Sequence, residues 1–158
     1  MDKAAHLLGL ARDRGLKIAT AESCTGGLIA AAITEIPGSS AIFDRGLVTY
    51  SNTAKETVLG VRKQTLAECG AVSKEVAGEM AAGALARSDA DLVVAVTGIA
   101  GPGGSEFKPE GRVCFAIAQI GKDPTTMVLD FGAPGRTAVR QAAVDQALDL
   151  LIAAILDG

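Results

Sequence analysis

The chain has 158 residues, with 15 Lys plus Arg against 18 Asp plus Glu and a formal charge of −3; hydrophobic residues make up 49% of it and charged residues 21%. Length and apolar share fit one domain with a buried core and exclude a disordered chain, while the acidic balance argues against a protein that coats nucleic acid through clustered cations. Three widely spaced cysteines (Cys24, Cys69, Cys114) and a single histidine, His6, leave no CxxC and no HExxH, so neither a disulfide scaffold nor a histidine metal site is expected.

In chain order, residues 4–14 read as a short helix stopped by Gly15, and residues 16–21 (LKIATA) as a strand. Residues 23–36, rich in Ala and Leu, read as a helix ended by Pro37-Gly38. Residues 47–50 (LVTY) form a compact strand, and Thr53-Ala54-Lys55-Glu56 fits a capping box opening the next helix. Ser73 can cap a longer helix to about residue 87, with Val76, Met80 and Ala84 on its buried face. Residues 91–97 (DLVVAVT) form a continuous apolar strand of the kind buried on both sides of a sheet. A glycine loop follows over residues 98–104. Two more strands lie at 112–120 and 126–131, and a last helix runs from about 135 to 156 with Val144, Leu148, Leu151 and Ile155 on one stripe. Strands alternating with helices predict a layered α/β fold. The last two strands are joined too closely for a parallel crossover, which predicts a mixed sheet. No apolar run reaches the roughly 18 residues of a membrane span and the amino-terminal residues do not open a signal peptide, so a soluble cytoplasmic protein is expected.

Four places could carry chemistry. In Ala21-Glu22-Ser23-Cys24-Thr25-Gly26-Gly27, a strand hands over to a helix, where unpaired N–H groups and the helix dipole can hold a phosphate or an oxyanion. Gly26 and Gly27 would let a ligand approach the backbone; the plainer alternative is that Ser23 caps the helix. Tyr50, the sole tyrosine, ends a strand, and Lys55 lies in the first turn of the next helix. The dipole and partial burial would push Lys55 towards the neutral amine that can activate a serine, although a solvated surface lysine fits the pattern too. The loop Thr97-Gly98-Ile99-Ala100-Gly101-Pro102-Gly103-Gly104 follows a buried strand and could face the same edge, or be purely structural. Arg136 and Arg140, four apart at the start of the last helix, gain nothing from its dipole and so point to an anionic partner such as a phosphate, or else to an exposed pair. Cys24 has no second histidine to activate it and reads as a packed residue, and His6 alone makes a Ser-His-Asp triad improbable.

Five ordered stretches carry a resemblance: residues 21–27, Pro37-Gly38-Ser39-Ser40, Val48-Thr49-Tyr50-Ser51-Asn52 with Ala54-Lys55, Gly70-Ala71-Val72-Ser73, and residues 97–104. Together, from about residue 4 to 156, the chain resembles the CinA C-terminal-domain family. The resemblance implies a three-layer α/β/α sandwich, often oligomeric, that hydrolyses nicotinamide mononucleotide to nicotinic acid mononucleotide and ammonia with no metal or cofactor. It implies Ser23 as nucleophile, Lys55 as general base, Tyr50 as orienting hydroxyl and Ser40 as rival nucleophile or hydrogen-bonding partner. Backbone N–H groups of Thr25, Gly26 and Gly27 would hold the oxyanion, Thr97, Gly98 and Gly101 would shape the nucleotide pocket, and Arg136 and Arg140 would hold the phosphate. The chain would be the stand-alone form, a homo-oligomer with a small-molecule nucleotide as partner and neither nucleic acid nor membrane. The apolar end of the last helix, residues 150–156, is a candidate symmetric contact. Two other classes fit the same residues: a nucleotide-binding module without catalysis, and a scaffold acting in competence or DNA damage.

Overall fold

A computed structural model describes residues 2–105 and 107–158. The strands are β1 (Ile18–Glu22), β2 (Phe43–Val48), β3 (Leu92–Gly98), β4 (Arg112–Gln119) and β5 (Thr125–Asp130). The helices are α1 (Lys3–Asp13), α2 (Leu28–Thr34), α3 (Asn52–Leu59), α4 (Lys63–Cys69), α5 (Lys74–Ala86) and α6 (Arg136–Asp157), with a 3-10 turn at Ser39–Ala41. The sheet runs β2-β1-β3-β4-β5. β1 pairs in parallel with β2 and β3, while β3–β4 and β4–β5 are antiparallel, so the mixed sheet expected from the short last connection is present.

The two faces of the sheet differ in side-chain size. Ile18, Val94, Val96, Phe115 and Ile117 face α1, α2 and α6 in one core, which takes in Leu7, Ile29, Ile33, Val139 and Leu148. Alternate residues Ala19, Ala21, Ala95, Cys114, Ala116 and Ala118 face the other way, against Val76, Ala77, Met80, Ala81 and Ala84 of α5 and Leu59 of α3. Period-two alternation thus sorts bulky residues to one layer and small ones to the other, giving the α/β/α sandwich. The small face admits the α5 backbone. The buried stripes expected on α5 and α6 are present, and Leu151, Ile152 and Ile155 are seated in the chain's own core while Leu156 is exposed.

Among the element boundaries that differ from the sequence reading, three starts have a clear local reason. α2 starts at Leu28, not Ser23, because Gly26 and Gly27 take positive φ and hold residues 23–27 as a turn. β2 begins four residues early, since Phe43-Asp44-Arg45-Gly46 is an edge-strand half whose polar residues hide the alternation. α3 is capped by Ser51, whose hydroxyl accepts from the Ala54 N–H, rather than by Thr53. α4 has no local signature: it lacks a side-chain cap of its own, and Glu79 on α5 accepts from the Arg62 N–H at 2.8 Å and the Thr65 hydroxyl at 2.6 Å.

β1, β2 and β3 all end at one edge of the sheet, and the loop from β3 to β4 and the start of α6 meet them there. Ligands of open α/β sheets bind at this carboxyl edge. Among the described residues, no helix is long and apolar enough to cross a membrane.

Gly83 marks how closely α5 approaches α3: a Cβ there would lie 1.8 Å from the Leu59 carbonyl oxygen. Gly83→Ala should therefore cost about 1–3 kcal/mol by overpacking, seen as a lower urea midpoint. An unchanged midpoint would contradict this packing.

Candidate functional site

Ser23 is the first residue past β1 and is pinned on both sides of its backbone. Its N–H donates to the Val96 carbonyl at 2.9 Å, continuing the β1–β3 ladder, and the preceding carbonyl, on Glu22, accepts from the Thr49 N–H at 2.9 Å. Its side chain points to Lys55. Lys55 Nζ donates to Ser23 Oγ at 3.0 Å, to the Thr49 carbonyl at 2.9 Å and to the Tyr50 carbonyl at 3.5 Å. Lys55 is 1% exposed and Ser23 7%. The Ser51 cap sets α3's start, and that start directs the fourth helical residue inward, across the ends of β2 and β1.

The pair opens on a cavity of about 250 Å³. Tyr50 and Asn52 line it on one side, Thr97, Gly98, Ile99 and Ala100 on another, with Ala71, Val72, Ser105 and Arg136 completing the wall. The Thr97 hydroxyl donates to the Ala71 carbonyl at 2.9 Å, tying the end of β3 to the loop before α5. Lys108 braces the same loop from outside, donating to the Cys69 and Val72 carbonyls at 2.6 and 2.5 Å. Gly101 frames the wall rather than lining it. Its φ is +93°, and a Cβ there would meet the Glu110 carboxyl at 2.7 Å. That carboxylate accepts from the Gly103 N–H.

The two arginines part company. Arg136 reaches the cavity, donating to the Tyr50 hydroxyl at 2.9 Å and the Gly101 carbonyl at 2.7 Å. It thereby ties three segments across the mouth, and Tyr50 stands 61% exposed there. Arg140 is not a lining residue. Its guanidinium donates to the carbonyls of Cys24 at 3.1 Å and Thr25 at 3.4 Å.

Nor do Thr25, Gly26 and Gly27 line the cavity. Their polar groups serve the turn: the Gly26 N–H donates to the Ser23 carbonyl, and the Thr25 hydroxyl and Gly27 N–H donate to Glu22 Oε1 at 2.6 and 3.2 Å. The expected oxyanion donors at Gly26 and Gly27 are thus already engaged. Glu22 is fully buried and also accepts from the Ile29 and Ala30 N–H groups, both at 3.0 Å. A carboxylate from the strand therefore caps α2, where Ser23 was the alternative. Ser40 is exposed in the turn before β2, a six-residue strand and so about 20 Å from the edge where Lys55 sits. That distance removes Ser40 as a partner of Lys55.

Sequence reasoning gave no role to Glu22, Asn52, Ser105 or Lys108. Glu22 carried a signal: a carboxylate closing an otherwise uncharged, fully buried strand demands partners. Among the described residues no group of three or more His, Cys, Asp or Glu is placed to hold a metal ion.

The fold and the site define a three-layer α/β protein with a buried serine–lysine pair at the sheet's carboxyl edge. The family described as the CinA C-terminal domain matches residues 2–155. The chain belongs to that family. A "CinA-like protein" from Chloroherpeton thalassium is 59% identical over 74% of this chain, which spans 28% of that longer protein. The nicotinamide-nucleotide amidohydrolase PncC of Escherichia coli K12 is 53% identical over 87% of this chain and 84% of its own length. The crystal structure of the competence/damage inducible protein CihA from Agrobacterium tumefaciens superposes with a TM-score of 0.93 at 51% identity, covering 96% of this chain and 92% of that one.

Cys24 lines the cavity beside Ser23, but burial pushes its thiol up to about 11. At pH 8 that leaves about one thiol in a thousand ionised. Iodoacetamide should therefore spare Cys24 in the folded protein at pH 8 and modify it only as the pH approaches 11. Rapid alkylation of Cys24 at pH 8, read by peptide mass, would contradict this environment.

Proposed function

We propose that this chain is a serine–lysine amidohydrolase that deamidates nicotinamide mononucleotide, releasing ammonia and nicotinic acid mononucleotide. The observation that carries the reading is the 3.0 Å contact between Lys55 Nζ and Ser23 Oγ, buried at the floor of an open cavity. The 53% identity to a protein named nicotinamide-nucleotide amidohydrolase supports the substrate.

The hydrogen bonds of Lys55 favour this chemistry. Thr49 and Tyr50 present carbonyls, which only accept, whereas the Ser23 hydroxyl can either accept or donate. A neutral amine can thus keep donating to the carbonyls while it takes the serine proton.

Ser23 Oγ attacks the carboxamide carbon as its proton passes to Lys55 Nζ. Collapse of the tetrahedral intermediate breaks the C–N bond, and Lys55 returns the proton to the leaving nitrogen, which departs as ammonia. Water, deprotonated by the same amine, then attacks the acyl-serine; the C–Oγ bond breaks and Ser23 recovers its proton. The apolar wall of Ala71, Val72, Ile99 and Ala100 suits a pyridine ring, and Arg136 is the cation at the mouth that suits a phosphate.

Ser23→Ala should abolish ammonia release from nicotinamide mononucleotide, and Lys55→Met should lower kcat by about a thousandfold or more, since the members of such a unit fail together. Ammonia release by Ser23→Ala near the wild-type rate would overturn the assignment. Tight calorimetric binding of the nucleotide by a wild-type protein that forms no product would instead favour a non-catalytic binding module.

A further inference from the structure

The residues 23–27 are gripped from two sides by side chains that do not reach the cavity. From the sheet side, Glu22 gathers the Thr25 hydroxyl and the N–H groups of Gly27, Ile29 and Ala30. From α6, Arg140 gathers the carbonyls of Cys24 and Thr25. A carboxylate accepts only and a guanidinium donates only, so the first takes the turn's donors and the second its acceptors. Each peptide is planar. Holding the Cys24 and Thr25 carbonyls therefore fixes the planes of the two peptides that follow Cys24 and Thr25. A Cβ on Gly26 would stand 3.2 Å from the Arg140 guanidinium, so the turn and the arginine are in close contact as well as hydrogen-bonded.

We propose that Arg140, opposed by Glu22, is a positioning residue that holds the Ser23 turn at the reach of Lys55, and is not a ligand of the substrate phosphate. The inference rests on the serine–lysine reading and concerns how that pair is kept in register. Ser23 Oγ is held to Nζ through one side-chain torsion and the backbone beneath it. A displacement of an ångström in that backbone costs a large factor in rate while leaving the cavity's other walls in place. The loss should then appear in kcat, whereas loss of a phosphate ligand appears in KM and in the preference for the phosphorylated substrate.

The test compares wild type with Arg140→Met, Arg140→Lys and Arg136→Met. Three quantities are measured: kcat and KM for nicotinamide mononucleotide, the ratio of kcat/KM for that nucleotide to kcat/KM for nicotinamide riboside, which lacks the phosphate, and the rate of the nitrophenolate burst from p-nitrophenyl acetate, which reads serine acylation without any nucleotide. The clamp predicts that Arg140→Met lowers kcat and the burst rate by about tenfold or more together, with KM within about threefold and the nucleotide-to-riboside ratio unchanged. It also predicts that Arg140→Lys, which keeps a donor, recovers part of both losses. Arg136→Met is the contrast, expected to collapse the ratio. A raised KM with unchanged kcat in Arg140→Met, a collapsed ratio, or wild-type values throughout would each overturn the proposal. Should Arg140→Met fail to fold, Arg140→Lys and Arg140→Gln carry the same comparison. A wild-type protein that acylates with the ester but leaves the nucleotide intact would sink the substrate assignment alone, and the burst rates of the variants would then decide the clamp. A wild type without a burst and without turnover would sink both.

Discussion

Everything at the carboxyl edge of the sheet depends on the seat of Lys55. A lysine head taken out of water costs several kcal/mol unless its hydrogens find acceptors, and the chain supplies them from the backbone just before the helix that carries it. The Thr49 and Tyr50 carbonyls can serve because β2 stops at Val48 and frees them from the ladder. Ser51 then starts α3 in the register that turns Lys55 inward. A further acceptor, Ser23 Oγ, comes from the turn that follows β1. Strand end, cap and turn therefore form one geometric unit, and none can shift without moving the amine.

The packing beneath serves the same end. The alanine-rich face of the sheet lets α5 sit close, and Gly83 lets α3 rest its last carbonyl directly on α5. On the other face, bulky side chains anchor α6, which delivers both arginines to the edge. One turn of helix separates their roles: Arg136 crosses the mouth to Tyr50 and the glycine loop, while Arg140 holds the backbone of the Ser23 turn. The opening is bordered by exposed groups that can exchange partners, and the floor is built from buried ones held from several directions.

Much of this was legible in the chain. β3, α5 and α6 announced themselves by long apolar patterning and, for α5, by the Ser73 cap. Ser23 and Lys55 stood out singly, by residue type at strand-to-helix junctions, and the resemblance to the CinA family paired them. What escaped has a common cause. α4 is capped from Glu79 on another helix, and α2 by Glu22 from the preceding strand, so no local rule finds either end. Arg140 carries the same i, i+4 signature as a phosphate-binding pair with Arg136; only the tertiary fold reveals carbonyls already waiting for it. Ser40 lies in a motif beside its serine neighbour Ser39, yet the strand that follows carries the chain away to the other edge before the site is reached.

Whether the buried amine makes one particular hydroxyl nucleophilic is open to a single measurement. A fluorophosphonate reagent, which captures activated serines, can be mapped by peptide mass on wild type and on Lys55→Met. One adduct, on Ser23, is expected in the wild type and its loss in the variant. An adduct on Ser40, or equal labelling of Ser23 with and without Lys55, would contradict it.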